Sequence, residues 1–339
     1  MVITAPKLWI PERALITAPS LEHAHGRRIA ERCAGLGVDV VELPGNRLTG
    51  LRDADERDAY RRAKKTLAIV VSPPSSRRLQ PVPPSADWRL DIARGCPAHC
   101  EYCYLAGSLP GAPVTRVYAD LEEILDNARG YEGSFEASCY TDPLALEHLT
   151  GSVARAIEGF GTRTDASLRF TTKFDDVDSL LDLDHRRRTR VRFSVNAPAV
   201  ERFEGGTARV AARLAALRRV ALAGYRVGLT IAPIMPMGAW RAGYQALLDE
   251  AGRALDGIED ADLTVELITH RFTDSSKRVL TGWYPQTGVD MDEDARTLKR
   301  TKFRGTKHVY PRAMMTELRT FFETEVPARL PGARMLYFT

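Results

Sequence analysis

The sequence predicts an α/β fold: a partial (β/α)6 barrel of the TIM type over residues 85–339, an N-terminal α/β segment over residues 1–84, and a basic β-hairpin at about 296–312. Three observations carry this expectation. From Trp88 onward, strand-like and helix-like stretches alternate, as they do when parallel strands are joined by right-handed crossovers. The residues with the most chemistry fall at the C-terminal ends of the strand-like stretches, where barrels place their sites. Finally, SPPSSRRLQPVPPS, rich in Pro, Ser and Arg, interrupts the chain before that alternation begins and reads as a connector that forms neither helix nor central strand.

The elements follow in order. Ahead of the connector stand a strand-like WI, an amphipathic helix in LEHAHGRRIAERCAGLG, the apolar run VDVVEL, a helix in ADERDAYRRAKKTL and the strand AIVVS. After it, WRLDIAR, SFEASCY, SLRFTTKF, RVRFSVN, RVGLTIAPI and LTVELITHRF read as strands. DLEEILDNAR, LEHLTGSVARAIEGF, VDSLLDL, ARVAARLAALRRVALAG and YQALLDEAGRALDG read as the helices between them. With 339 residues and 44% apolar content, the chain can bury one large core or two modest ones. The opening MVITAPKLWIPERAL lacks a charged region followed by an apolar one, and no stretch approaches the roughly 18 apolar residues of a membrane span. A cytoplasmic location is therefore expected, where thiols stay reduced and free to hold metal. The net charge of +4 is a small difference between 48 cations and 44 anions, so its distribution matters more than its sign.

RGCPAHCEYCYLAG places Cys96, Cys100 and Cys103, three of the five cysteines, in one loop after the first strand of the alternation. An odd number so close together cannot pair as disulfides without leaving a thiol over, and the loop is too tight for ordinary bridges, so ligation is the better reading. Zinc, with His99 as a nominal fourth ligand, is the alternative, but structural zinc sites join two separated pairs, and Cys33 and Cys139 stand alone. Three thiolates in one loop suit a [4Fe-4S] cluster with one iron open to a small molecule. Cys33, inside a helix, reads as filler.

C-x3-C-x2-C followed by Tyr and Leu, with Tyr102 before the last cysteine, resembles the cluster motif of radical S-adenosylmethionine (SAM) enzymes. PPSADWRLDIARGCPAHCEYCYL, FEASCYTDPLALEHLT, LRFTTKFDDVD, RVRFSVNAP, AGYRVGLTIAPI, VELITHRFT with SSKRVL, and the ending MLYFT together resemble the spore photoproduct lyase family. That likeness runs from about PKLW to the last residue. It implies a radical SAM DNA repair lyase that returns the spore photoproduct, 5-thyminyl-5,6-dihydrothymine, to two thymines by way of a 5'-deoxyadenosyl radical. It also implies roles: Cys96, Cys100 and Cys103 hold the cluster, and Cys139 donates a hydrogen atom to the product radical, with Tyr102 and Tyr104 quenching the thiyl. Thr141, Lys173, Ser194 and Asn196 would bind SAM, Lys173 as a cation for its carboxylate and the hydroxyls as orienting groups. The implied partners are damaged double-stranded DNA with the thymine dimer flipped out and a reductant such as flavodoxin or ferredoxin, with the chain a monomer.

RTLKRTKFRGTKHVYPR, residues 296–312, contains seven Lys or Arg and no Asp or Glu. With Phe303, His308 and Tyr310 interleaved and Gly305 central, it reads as a hairpin that neutralises phosphates and offers a ring to the gap left by a flipped base. Lys302, Phe303, Arg304 and Lys307 are its candidate contacts, and the Arg-Tyr pair of the resembled family falls here on Lys302 and Phe303. HRRRTRVR, residues 185–192, is a second basic stretch that would extend the footprint. Two other readings stay open on the residues alone: a related radical SAM enzyme acting on another thymine lesion or a nucleoside metabolite, and a nucleic-acid-binding protein with a structural metal.

Overall fold

The structure, a computed structural model, describes residues 6, 8–51, 55–108, 113–300 and 305–339. Its strands in chain order are β1 Arg13–Thr17, β2 Asp39–Leu43, β3 Thr66–Val70, β4 Gln80–Val82, β5 Ala86–Leu90, β6 Ala93–Arg94, β7 His99–Cys100 and β8 Thr115–Tyr118. There follow β9 Gly133–Ala137, β10 Ala166–Thr172, β11 Thr189–Val195, β12 Glu204–Gly205, β13 Arg226–Ile234, β14 Thr264–Thr269, β15 Thr297–Arg300, β16 Thr306–Val309 and β17 Arg334–Phe338. The chain forms two compact units, one of residues 1–98 and 110–191, the other of residues 99–109 and 192–339.

The first unit contains a five-stranded sheet in the order β2-β1-β3-β8-β6. Every residue of β3, TLAIV, is buried, as expected of a parallel strand covered on both faces. Helix Ala24–Gly35 packs beside it through His25, Ile29 and Cys33, spaced four apart on one face. Gly26 lets the helix lie close to Ser20 and Ala119, because a Cβ there would lie 2.2 Å from the Ser20 carbonyl oxygen and 2.9 Å from the Ala119 Cβ. Strands β6 and β8, which complete the sheet, lie beyond residue 84. The unit's second set of strands runs β4-β5-β9-β10, parallel except for the antiparallel edge strand β4, and continues into the start of β11.

In the second unit, β13 pairs in parallel with β14, and β14 with β17. Helices Val210–Leu222, Trp240–Leu255 and Arg312–Arg329 accompany them, with Tyr244 and Phe322 meeting edge to face at 5.2 Å. Two antiparallel pairs complete the unit, β7 with β12 and β15 with β16. No helix among the described residues is long and apolar enough to cross a membrane.

All six strands expected after the connector are present, and the mixed α/β expectation holds. Several local readings change. WI is not a strand; the first is RALIT, Arg13–Thr17. The connector holds a short helix, Pro74–Arg77, which a proline can begin because its missing N–H has no helical partner at that position, and the edge strand β4. LEHLTGSVARAIEGF is two helices divided at Gly151, whose φ of +65° suits glycine, and VDSLLDL contains only the 3-10 turn Asp178–Leu180. MLYFT, read only for its likeness, is part of the parallel strand β17.

Candidate active site

In the first unit, the chain leaves β9 through Ser138, whose φ of +58° is unusual for a residue with a side chain. Two contacts hold that conformation: Ser138 N–H donates to Leu90 O at 2.8 Å, and its Oγ accepts the N–H groups of Ile92 and Ala93 at 3.1 Å each. Gly95 N–H donates to Tyr140 O at 2.8 Å. The turn carrying Cys139 is thus laced along its length to the segment that leads into Cys96. Between the two, the ring of Tyr140 lies 4.9 Å from the Arg89 guanidinium and 5.1 Å from that of Arg94. Lys64 Nζ donates to the carbonyls of Cys96, at 2.6 Å, and Ala98. Cys139 and Cys96 are half-buried and outside any disulfide.

The same turn brings Thr141 and Lys173 together, through a residue that sequence reading passed over. Asp142 Oδ2 accepts the backbone N–H of Lys173 at 2.6 Å, and its Oδ1 accepts the hydroxyl of Thr172 at 2.7 Å. The Oγ1 of Thr141 is buried without a hydrogen-bond partner among the described residues. A buried hydroxyl left unpaired is an opening for a polar ligand. Cys33, by contrast, is wholly buried, and burial pushes its thiol up to about 11, which makes it inert, as its filler reading requires.

In the second unit, β7 carries Cys100 and pairs with β12, so that Cys100 faces Glu204 in the ladder. Tyr102 is buried, and its hydroxyl donates to Glu204 Oε1. Burial pushes the phenol well above its ordinary pKa, and the neighbouring Glu204 carboxylate adds to the effect. Glu204 Oε2 lies 2.6 Å from Arg213 Nη1, both side chains fully buried. Arg213 also donates to the carbonyls of Ser194 and Ala208, at 2.8 Å each, and to Thr207 Oγ1 at 2.7 Å. Ser194 and Asn196 are buried at the end of β11, where Asn196 Nδ2 donates to Pro233 O at 2.8 Å and its Oδ1 accepts from Tyr244 at 3.0 Å. Tyr104 is 64% exposed, so the two tyrosines implied as a pair sit in opposite environments. No sequence signal links Glu204 and Arg213 to Tyr102, because only the β7–β12 pairing closes that long separation.

The expected basic hairpin is the β15–β16 pair. Lys299 stands directly opposite Lys307 in it, and burial together with Arg271 and Lys299 lowers the pKa of Lys307. Lys302, Phe303 and Arg304 lie outside the described residues. His308 and Tyr310 point inward instead of serving a tip: His308 stacks on Phe272 at 4.8 Å, and Tyr310 lies 3.8 Å beneath the guanidinium of Arg296. In the other basic stretch, Arg192 is buried against Glu266, which removes it from any DNA surface.

Three cysteines spaced C-x3-C-x2-C, none of them in a disulfide, on a mixed α/β fold mark the class: an α/β enzyme of the radical SAM type. The donor set fits a cluster and its SAM. The family model of spore photoproduct lyase matches residues 9–339. The spore photoproduct lyases of Geobacillus sp. (strain Y412MC61) and Bacillus subtilis (strain 168) are 37% and 36% identical to this chain, each over 98% of it and over 100% and 99% of their own lengths. A solved spore photoproduct lyase complexed with dinucleoside spore photoproduct superposes with a TM-score of 0.94 at 37% identity, covering 98% of this chain and 100% of the solved one. A cysteine-to-alanine, serine-to-cysteine double mutant with bound AdoMet and dinucleoside spore photoproduct gives 0.93 at 36% identity with the same coverage. The chain belongs to the spore photoproduct lyase family.

Proposed function

We propose that this protein is a radical SAM DNA repair lyase that cleaves the spore photoproduct to two thymines. The observation that carries the reading is the laced turn after β9: it carries Cys139, half-buried and in no disulfide, beside the segment leading into the cysteine loop.

When bound, the [4Fe-4S] cluster and SAM supply a 5'-deoxyadenosyl radical. Cys96, Cys100 and Cys103 hold the cluster. Thr141 and Lys173, set by Asp142, and Ser194 and Asn196, at the end of β11, bind SAM through hydroxyl, ammonium and amide groups. Cys139 delivers hydrogen to the product, a task for a protonated thiol on a turn whose backbone cannot swing away. Tyr102 and Tyr104 serve that cysteine. Lys307 on the β15–β16 pair, with Lys302, Phe303 and Arg304 as further contacts, grips the phosphates of a duplex from which the lesion is flipped, and the facing cations Lys299 and Lys307 favour such an anionic partner.

Functionally, residues 1–84 support the SAM-binding part, residues 85–339. The protein works as a cytoplasmic monomer served by a flavodoxin or ferredoxin. An anaerobic assay with reconstituted protein, dithionite, SAM and an oligonucleotide carrying the spore photoproduct tests the reading. Thymine restored in the strand supports it; SAM cleavage without repair overturns the substrate.

A further inference from the structure

The groups behind Tyr102 carry a further inference, which rests on the reading that the loop holds a cluster. We propose that Glu204 and Arg213 are positioning residues of the reaction: together they fix the phenol of Tyr102 and hold the Cys100–Cys103 turn to the strand end that presents Ser194.

The pair is not what stability alone would select. A fully buried ion pair is costly to desolvate, and a well-packed apolar pair of the same volume often does as well. What this one adds is direction. Arg213 donates to the Ser194 carbonyl, the Ala208 carbonyl and the Thr207 hydroxyl and ion-pairs with the Glu204 carboxylate, which leaves little freedom of rotation. Glu204, held by one oxygen, turns the other to the hydroxyl of the residue lying between two of the loop's cysteines. Its backbone is the ladder partner of Cys100, and the neighbouring Phe203 carbonyl accepts the N–H of Glu101 at 3.0 Å. One buried network therefore touches a cluster-loop cysteine, a tyrosine of the site and a SAM-side serine, much as hydrogen-bond partners behind a metal ligand fix its orientation.

The test compares wild type with Tyr102→Phe and with the double variant Glu204→Gln/Arg213→Met, which removes both charges while keeping the volume. Ultraviolet resonance Raman spectra, taken as differences from Tyr102→Phe, isolate the Tyr102 phenol and its hydrogen bond. Electron paramagnetic resonance of the reduced protein, with and without SAM, reads the cluster, and thymine released per 5'-deoxyadenosine reads coupling. The double variant is expected to load iron as wild type does, lose the donor signature of Tyr102, change the cluster line shape on SAM addition and couple about tenfold less well. Tyr102→Phe is expected to lower coupling with the ion pair intact. A folded double variant with the wild-type Raman signature, or with wild-type line shape and coupling, overturns the proposal. If wild type cleaves SAM but releases no thymine, the repair reading fails, while the Raman and resonance arms still decide the positioning of Tyr102.

Discussion

The carboxylate of Asp142 accepts the backbone N–H of Lys173 at 2.6 Å, which ties the end of β10 to the turn after β9. Thr141 and Lys173 owe their common setting to this bond. Asp142→Ala would leave the Thr172 hydroxyl and the Lys173 N–H buried without their acceptor, and should cost about 2 kcal/mol of stability. It should also weaken SAM binding about tenfold, as loss of a supporting carboxylate does elsewhere. Chemical denaturation and equilibrium binding of SAM to reconstituted protein measure the two effects, and unchanged SAM affinity would refute the setting role.

Cys139→Ala should leave the fold intact, because the contacts of Ser138 and the Tyr140 carbonyl hold the turn and do not involve the thiol. The thermal midpoint should stay within about 1 °C of wild type, since the site is half-buried and off the core. SAM cleavage should continue while thymine release falls and adducts accumulate. Full repair by this variant, followed by chromatography, would move the hydrogen donor elsewhere.

Glu147 sets a pH dependence. Its buried carboxyl accepts the N–H groups of Val153 and Ala154 at the start of helix Ser152–Gly161, yet desolvation raises its pKa to about 7. Between the ordinary carboxylate value and 7 the folded state binds the extra proton, so this group's stabilisation is full at acid pH and is lost as pH rises through 7. His25, lowered to about 4 by burial, and His270, lowered to about 3, run the opposite way below their ordinary values. The test is therefore a difference: between pH 5 and pH 7, wild type should lose stability relative to Glu147→Gln at up to about 1.4 kcal/mol per pH unit. Parallel curves of denaturation midpoint against pH would contradict the assignment.

Lys307→Ala should weaken binding to damaged and undamaged duplex alike. If Lys307 meets a phosphate, the slope of log affinity against log salt should become shallower by about 0.9. Fluorescence anisotropy at several salt concentrations gives the slope, and an unaltered one would place Lys307 off the DNA.

The cysteine loop, the six strands after the connector and the lysine at the end of β10 were legible because each is a local pattern: spacing in the first case, apolar runs bounded by turns in the second, position at a strand end in the third. The connector misled because short elements there depend on a neighbour: β4 exists only as the antiparallel partner of β5. His308 and Tyr310 looked like tip residues in a basic run, yet the packing of Phe272 and Arg296 turns them inward.

By itself the sequence determined the chemistry: three thiols in one loop, a fourth at a strand end, and the family to which such a chain belongs. Only the tertiary structure decided which groups stand behind them. Asp142 behind Lys173, and Glu204 with Arg213 behind Tyr102, are ordinary charged residues in the sequence. A buried charge acquires meaning from partners that satisfy it, and those partners are brought by strand pairings across long stretches of chain that no local pattern records.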